Sequence, residues 1–226
     1  MRDNTMTHWG MTRAALIMGV MLTPGLAAQA GSIDIFSDEA NSTDGLGSFT
    51  GSVDYVYDAD TGLGLLTITL TNTSDPDNGG YITGFLYNIV SDDPDASATL
   101  VSASYPYEDA TGLGLNGEPF GNPFDAGAAI GGVFLGGGDP TGGIAVGDTG
   151  IFGFEIMAFD AADLTALNFL IGGRYEFNFI VRFKGFADGG SDKVPASIIP
   201  LPPALAWGGL GLVAAMFGAG RVRRKS

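Results

Sequence analysis

The sequence predicts an all-β domain, an antiparallel β-sandwich of the Ig-like or jelly-roll-like kind, flanked by an N-terminal signal helix and a C-terminal transmembrane helix. Three observations carry this. Short alternations of apolar and polar residues recur through residues 31–195, each bounded by Gly, Asp, Asn or Pro. The 37 glycines and 11 prolines supply turns, whereas Lys, Glu and Arg are too few to cover long surface helices. The two ends, by contrast, carry uncharged apolar stretches. A chain of 226 residues fits one domain with a sizeable core.

The elements follow in order. "FTGSVDYVY" sets Phe49, Val53, Tyr55 and Tyr57 on one face of a strand. "LLTITLTN" sets Leu66, Ile68 and Leu70 against Thr67, Thr69 and Thr71. "TNTSDPDNGG" reads as a hairpin loop, and "YITGFLYNIV" and "SATLVSASY" as the next strands. Residues 112–150 are glycine-rich and read as a long loop decorating the sandwich. "IFGFEIMAF" aligns Phe152, Phe154 and Ile156. "DAADLTALNFL" reads as one or two helical turns with Asp160 as N-cap. "YEFNFIVRF" sets Tyr175, Phe177, Phe179, Val181 and Phe183 against Glu176, Asn178, Ile180 and Arg182. After Lys193 the composition turns to Pro and Ser, which places the domain boundary near Val194. "YDADTGLGLL" and "YEDATGLGLN" echo one another, but Asp-Thr-Gly and Gly-Leu-Gly are ordinary turn chemistry, and one imperfect pair is no repeat array. The expected organisation is thus 1–30, a signal peptide; 31–194, an exported domain; 195–203, a Pro-rich linker and motif; and 204–226, a transmembrane helix with a basic tail.

Charge is unevenly placed. Residues 31–200 hold four cations (Arg174, Arg182, Lys184 and Lys193) against 24 acids, a net of −20. That field disfavours nucleic acid and anionic membrane surfaces as partners and suits cations or simple solubility.

The ends read as addresses. Arg13, the apolar run 14–22 and the break at Pro24-Gly25 have the layout of a secretory signal peptide. Ala28-Gln29-Ala30 forms its cleavage site, so the mature chain is expected to start at Gly31, with translation starting at Met1 or Met11. At the far end, residues 204–220 carry no charge; as a helix they would span about 25 Å, a marginal crossing of a bilayer core of about 30 Å. Arg221, Arg223, Arg224 and Lys225 then stay on the cytoplasmic side, leaving residues 31–200 outside, and the secretion machinery is the implied partner.

Just before that stretch stand Ile199, Pro200, Leu201, Pro202, Pro203 and Ala204. Leu201 between prolines is held extended and cannot join the helix, as suits a segment presented to a protease at the membrane edge. A Pro-containing motif, a weakly apolar Gly-rich helix and a terminal basic cluster together resemble the sorting tail of the PEP-CTERM family of exosortase substrates, in the variant reading Val-Pro-Leu-Pro-Ala. Here Ile replaces Val, and Pro203 is inserted before Ala204. The aromatic–basic strand running into "FADGGSDKVPAS" is similar to the end of exported domains that carry such tails. The resemblance implies that an exosortase-like membrane protease removes the tail, and that the mature protein goes to the cell surface or an exopolysaccharide matrix. The other reading of the same residues is a permanent single-span anchor.

The catalytic inventory is thin. His8 is the single histidine and lies in the leader, and there is no cysteine, which removes imidazole bases, thiol nucleophiles and ordinary zinc sites from the mature chain. A two-carboxylate site survives that filter, but no motif singles out a pair, so no enzyme is expected. Calcium is the cofactor the acidic turns would suit: Asp58 and Asp60; Asp75 and Asp77; and Asp92, Asp93 and Asp95 offer clustered oxygens, although none fits an EF-hand. The alternative is that these residues simply make turns. Tyr81, Tyr87, Tyr105, Tyr107 and Phe120 are candidate platforms for carbohydrate, with core packing as the plainer role. Asn41-Ser-Thr and Asn72-Thr-Ser read as turn residues. Two functional expectations follow: a structural or adhesive surface protein, or a calcium- or polysaccharide-binding module held permanently by its C-terminal helix.

Overall fold

The computed structural model describes residues 31–110, 115–136 and 138–198. They form eleven strands: β1 (Gly31–Ser37), β2 (Phe49–Asp58), β3 (Leu63–Asn72), β4 (Gly79–Tyr87), β5 (Ser97–Ala103), β6 (Tyr107–Asp109), β7 (Ala126–Ile130), β8 (Ile144–Ala145), β9 (Thr149–Met157), β10 (Phe179–Phe186) and β11 (Ser191–Ile198). No α-helix occurs among the described residues, and no helix there is long and apolar enough to cross a membrane. The signal and tail stretches, including Ala28, Ala30, the motif from Ile199 to Ala204 and the basic cluster, lie outside the described residues.

Every ladder is antiparallel. The path runs β5-β9-β3-β2-β1-β11-β10-β4-β7-β6, with β8 beside β4. Its two ends, β5 and β6, follow one another in the chain, and the Leu100 amide donates to the Asp109 carboxylate at 3.1 Å across the gap. The wall is therefore a nearly closed barrel. β11 links its halves: residues 191–195 pair with β10, and residues 196–198 pair with β1. The sheet thus continues four residues past the boundary expected at Val194.

Inside, the alternations behave as expected. Val53, Tyr55, Leu66, Ile68, Leu70, Phe152, Phe154 and Ile156 of one half meet Phe85, Tyr87, Phe179, Val181 and Phe183 of the other. The Phe85 ring lies edge-on to Phe152 at 4.8 Å, and Tyr87 edge-on to Phe154 at 5.4 Å, the geometry that ring quadrupoles favour. Tyr87 and Tyr107 belong to this core, 0 % and 6 % exposed, which removes both as carbohydrate platforms.

Four expectations are corrected. Residues 73–78 do not close a hairpin, because β3 pairs with β2 and β9 while β4 pairs with β10, β7 and β8. The segment crosses between the halves. Gly79 and Gly80, at φ 68° and 90°, redirect it, and a side chain on Gly80 would strike the Phe186 ring. Residues 160–170 form only a 3₁₀ turn, Ala166–Phe169, capped by Thr165 and Asn168; Asp160 instead accepts from the Ser91 hydroxyl and the Asp92 amide. In addition, β10 starts at Phe179. Tyr175 and Phe177 leave the strand and join a second apolar cluster of Leu86, Ala110, Phe124, Phe134 and Ile180 on the outside of the wall. The glycine-rich segment 112–150, expected as a decorating loop, is corrected too: it supplies much of that cover and also contributes β7 and β8 to the sheet.

Strand directions fix two poles. Gly31 lies opposite Tyr55 near the end of β2, and β11 runs antiparallel to β1, so both ends of the described domain leave at one pole. The loops at 38–48, 73–78 and 187–190 crown the other.

Candidate functional site

In each acidic turn proposed for calcium, one carboxylate is engaged by backbone amides. Asp58 accepts from the Asp60 amide at 2.9 Å, Asp75 from the Asp77 amide at 2.9 Å, and Asp93 from the amides of Asp95 at 3.0 Å and Phe159 at 2.8 Å. The Asp60 amide is the main reason the Asp58 carboxyl sits below its ordinary range. The fold also separates the clusters: Asp75 and Asp77 lie one strand length from the turn at Asp58 and Asp60, about 33 Å over the ten residues of β3. Among the described residues no three His, Cys, Asp or Glu are grouped to hold one metal ion. Asn72 is buried, donating to the carbonyls of Gly80 (3.1 Å) and Ile144 (3.0 Å).

The most heavily bonded carboxylate is one the acidic runs did not point to. Asp192 is fully buried in β11. It accepts from the hydroxyls of Ser42 and Thr43 (each 2.9 Å) and from the amides of Asp44 (3.0 Å), Leu46 (2.8 Å) and Gly47 (2.9 Å). Burial alone would raise its pKa; the Gly47 and Leu46 amides and the two hydroxyls outweigh that and hold it below the usual carboxylate range. This residue is the Asp of the Gly-Gly-Ser-Asp-Lys run, and it ties the loop 42–47 to the last strand.

Next to it the cations gather. Arg182 on β10 stands directly opposite Lys193 on β11, with Lys184 two residues along the same strand. The Arg182 guanidinium is buried, donates to the carbonyls of Phe134 and Gly136, and leaves its Nε without a partner. Burial and then the Arg182 charge lower the pKa of both lysines; Asp44 and Asp192 pull Lys193 the other way. Arg174, the remaining cation, pairs with Asp125.

The outer face of the other half is different in kind. Register puts Phe36, Thr50, Thr71 and Thr149 in one row across β1, β2, β3 and β9, and Asp34, Ser52, Thr69 and Ile151 in the next. Over the first three of these strands lies a shallow depression of about 500 Å³, lined by Asp34, Ile35, Phe36, Thr50, Gly51, Ser52 and Thr69. Phe36 is 36 % exposed and Ile151 51 %. Thr71 and Thr149 share a hydrogen bond of 2.8 Å, and Ser52 donates to Asp54 at 3.3 Å. The outward threonines of β3 were legible in the sequence; their alignment with Phe36 and Asp34 was not, because it depends on strand order. Of the aromatics singled out from sequence, Tyr81 lines a separate depression with Pro76, Asp77 and Gly185, and Phe120 packs edge-on to Phe177 at 5.5 Å.

No protein-family model matches the chain, and neither the curated proteins nor the solved structures contain a match to it.

Proposed function

We propose that the chain is an exported structural or adhesive protein, delivered through a cleavable signal peptide and a PEP-CTERM-like tail to the cell surface or extracellular matrix. One observation supports it most. Leader and tail attach at the same pole, on the neighbouring strands β1 and β11, so the opposite pole and the flanks of the barrel point away from any membrane that holds the tail. Charge agrees, since the −20 of residues 31–200 keeps such a domain soluble and clear of anionic lipid. The architecture we read as a β-sandwich of the Ig-like or jelly-roll-like kind, a flattened barrel whose halves meet through the Phe85, Phe152 and Phe154 rings. We infer no catalytic role, since the mature chain holds neither cysteine nor histidine and no motif singles out a carboxylate pair. The second reading, a polysaccharide-binding module, is favoured by the polar depression on the β1–β2–β3 face.

The test is protease shaving of intact host cells. The proposal expects residues 31–198 to be released from whole cells, and surface display to be lost when residues 204–226 are deleted. A domain accessible only after lysis would overturn it.

A further inference from the structure

We propose that the outer face of β1, β2, β3 and β9 binds neutral polysaccharide, laid across the two rows headed by Phe36 and Asp34. The inference deepens the surface reading above by naming the partner of one face.

Shape comes first. The depression of about 500 Å³ falls within the roughly 300–1,000 Å³ range of ligand sites, and it is an open trough rather than a pit, which suits a chain passing over it. Its lining comes from three neighbouring strands: residues 34–36, residues 50–52 and Thr69.

The lining chemistry selects the ligand. Phe36 offers a partly exposed ring, a flat apolar surface for the C–H face of a sugar. Asp34 offers a carboxylate that accepts from sugar hydroxyls, the stronger, charge-assisted type of bond. Thr50 and Thr69 both donate and accept, while Ser52, which donates to Asp54, keeps its acceptor lone pairs. Among the described residues the Thr50 and Thr69 hydroxyls have no hydrogen-bond partner. Within each row, positions repeat at the spacing of neighbouring strands, about 4.8 Å, comparable with one sugar ring. Ile151 closes the second row with a further apolar contact.

Charge excludes the competitors. No cation lines the trough, and Asp34 together with Asp54 in the following row makes the face negative, so an acidic polymer is repelled. A neutral, hydroxyl-rich polymer meets no such cost and satisfies both Asp34 and the threonines.

The experiment is affinity electrophoresis of the full chain in mild detergent, through gels containing dextran, mixed-linkage β-glucan or arabinoxylan, with polygalacturonate as the acidic comparison. At least one neutral polymer is expected to retard the protein, and polygalacturonate is not. Phe36→Ala and Asp34→Ala should each weaken retardation by about tenfold or more. Thr69→Val, nearly isosteric, should weaken it several-fold with the melting temperature unchanged, which separates binding from folding. Retardation by none of the neutral polymers, by polygalacturonate alone, or equally in wild type and all three variants would overturn the inference. None of these outcomes bears on surface display, which the shaving experiment reads independently.

Discussion

Ser42, in the loop after β1, donates to both carboxylate oxygens of Asp192, 150 residues further along the chain, at 2.9 Å each. That contact joins the first connection of the barrel to its last strand. It is reinforced by Thr43, whose amide donates to the Lys193 carbonyl and whose hydroxyl accepts from the Lys193 amide.

Replacing Asp192 tests the clamp. Asp192→Ala strands the partly buried Leu46 amide and the buried Gly47 amide and should cost about 2–4 kcal/mol. Because the folded carboxyl lies below its ordinary value of 3.8, its contribution is complete above that pH and is lost as pH falls through the folded pKa. Thermal unfolding at falling pH should therefore show a shallower acid decline for Asp192→Asn than for wild type. Parallel declines would contradict this.

Tyr55 marks the alkaline side. Its hydroxyl donates to the Ala161 carbonyl at 2.7 Å, and burial, followed by the charge of Asp160, raises its pKa to about 12. A folded pKa above the ordinary 10.0 gives stability that is present below 10 and lost as pH rises towards 12. Ultraviolet titration should show a tyrosinate component near that upper limit that is missing from the difference curve of Tyr55→Phe, the other tyrosines titrating alike in both proteins.

The same ring fixes a neighbour. A Cβ on Gly64 would come within 2.1 Å of the Tyr55 hydroxyl. Gly64→Ala should destabilise by about 1–3 kcal/mol through overpacking, whereas Gly62→Ala, which meets open space but a φ of 74°, pays only for its backbone. Denaturant midpoints of the two variants check the difference.

Arg182 facing Lys193 is an unfavourable cross-strand pair. Lys193→Thr should stabilise by about 0.2–1 kcal/mol at low ionic strength, with the gain shrinking as salt rises. A loss that shrinks as salt rises would contradict this and mean that Lys193 acts mainly through its attraction to Asp44 and Asp192.

Local pattern and long-range partnership separate what could be read in advance. β2, β3 and β9 were legible because period-two alternation at Val53, Ile68 or Phe154 is written in neighbouring residues. The hairpin expected at residues 71–80 failed because turn chemistry such as Asp-Pro-Asp-Asn-Gly-Gly states that the chain turns, not which strands then pair. Residues 160–170 have a helical look, but Leu164, Ala166 and Phe169 are buried by the tertiary core without a long helix being needed. Asp192 resembled any other surface acid, since its five donor residues lie some 145 to 150 positions away. The Phe36–Asp34 rows were hidden for the same reason: each strand contributes only one residue to each row.

Sorting by tail cleavage fixes where the mature chain begins and ends, so the deciding measurement is the intact mass of the protein recovered from the envelope and medium of its native host. A species starting at Gly31 and ending between Pro200 and Ala204 is the predicted result, with leader and tail both removed. A species that keeps Arg221, Arg223, Arg224 and Lys225 in both fractions would contradict sorting by tail cleavage and make the C-terminal stretch a lasting anchor.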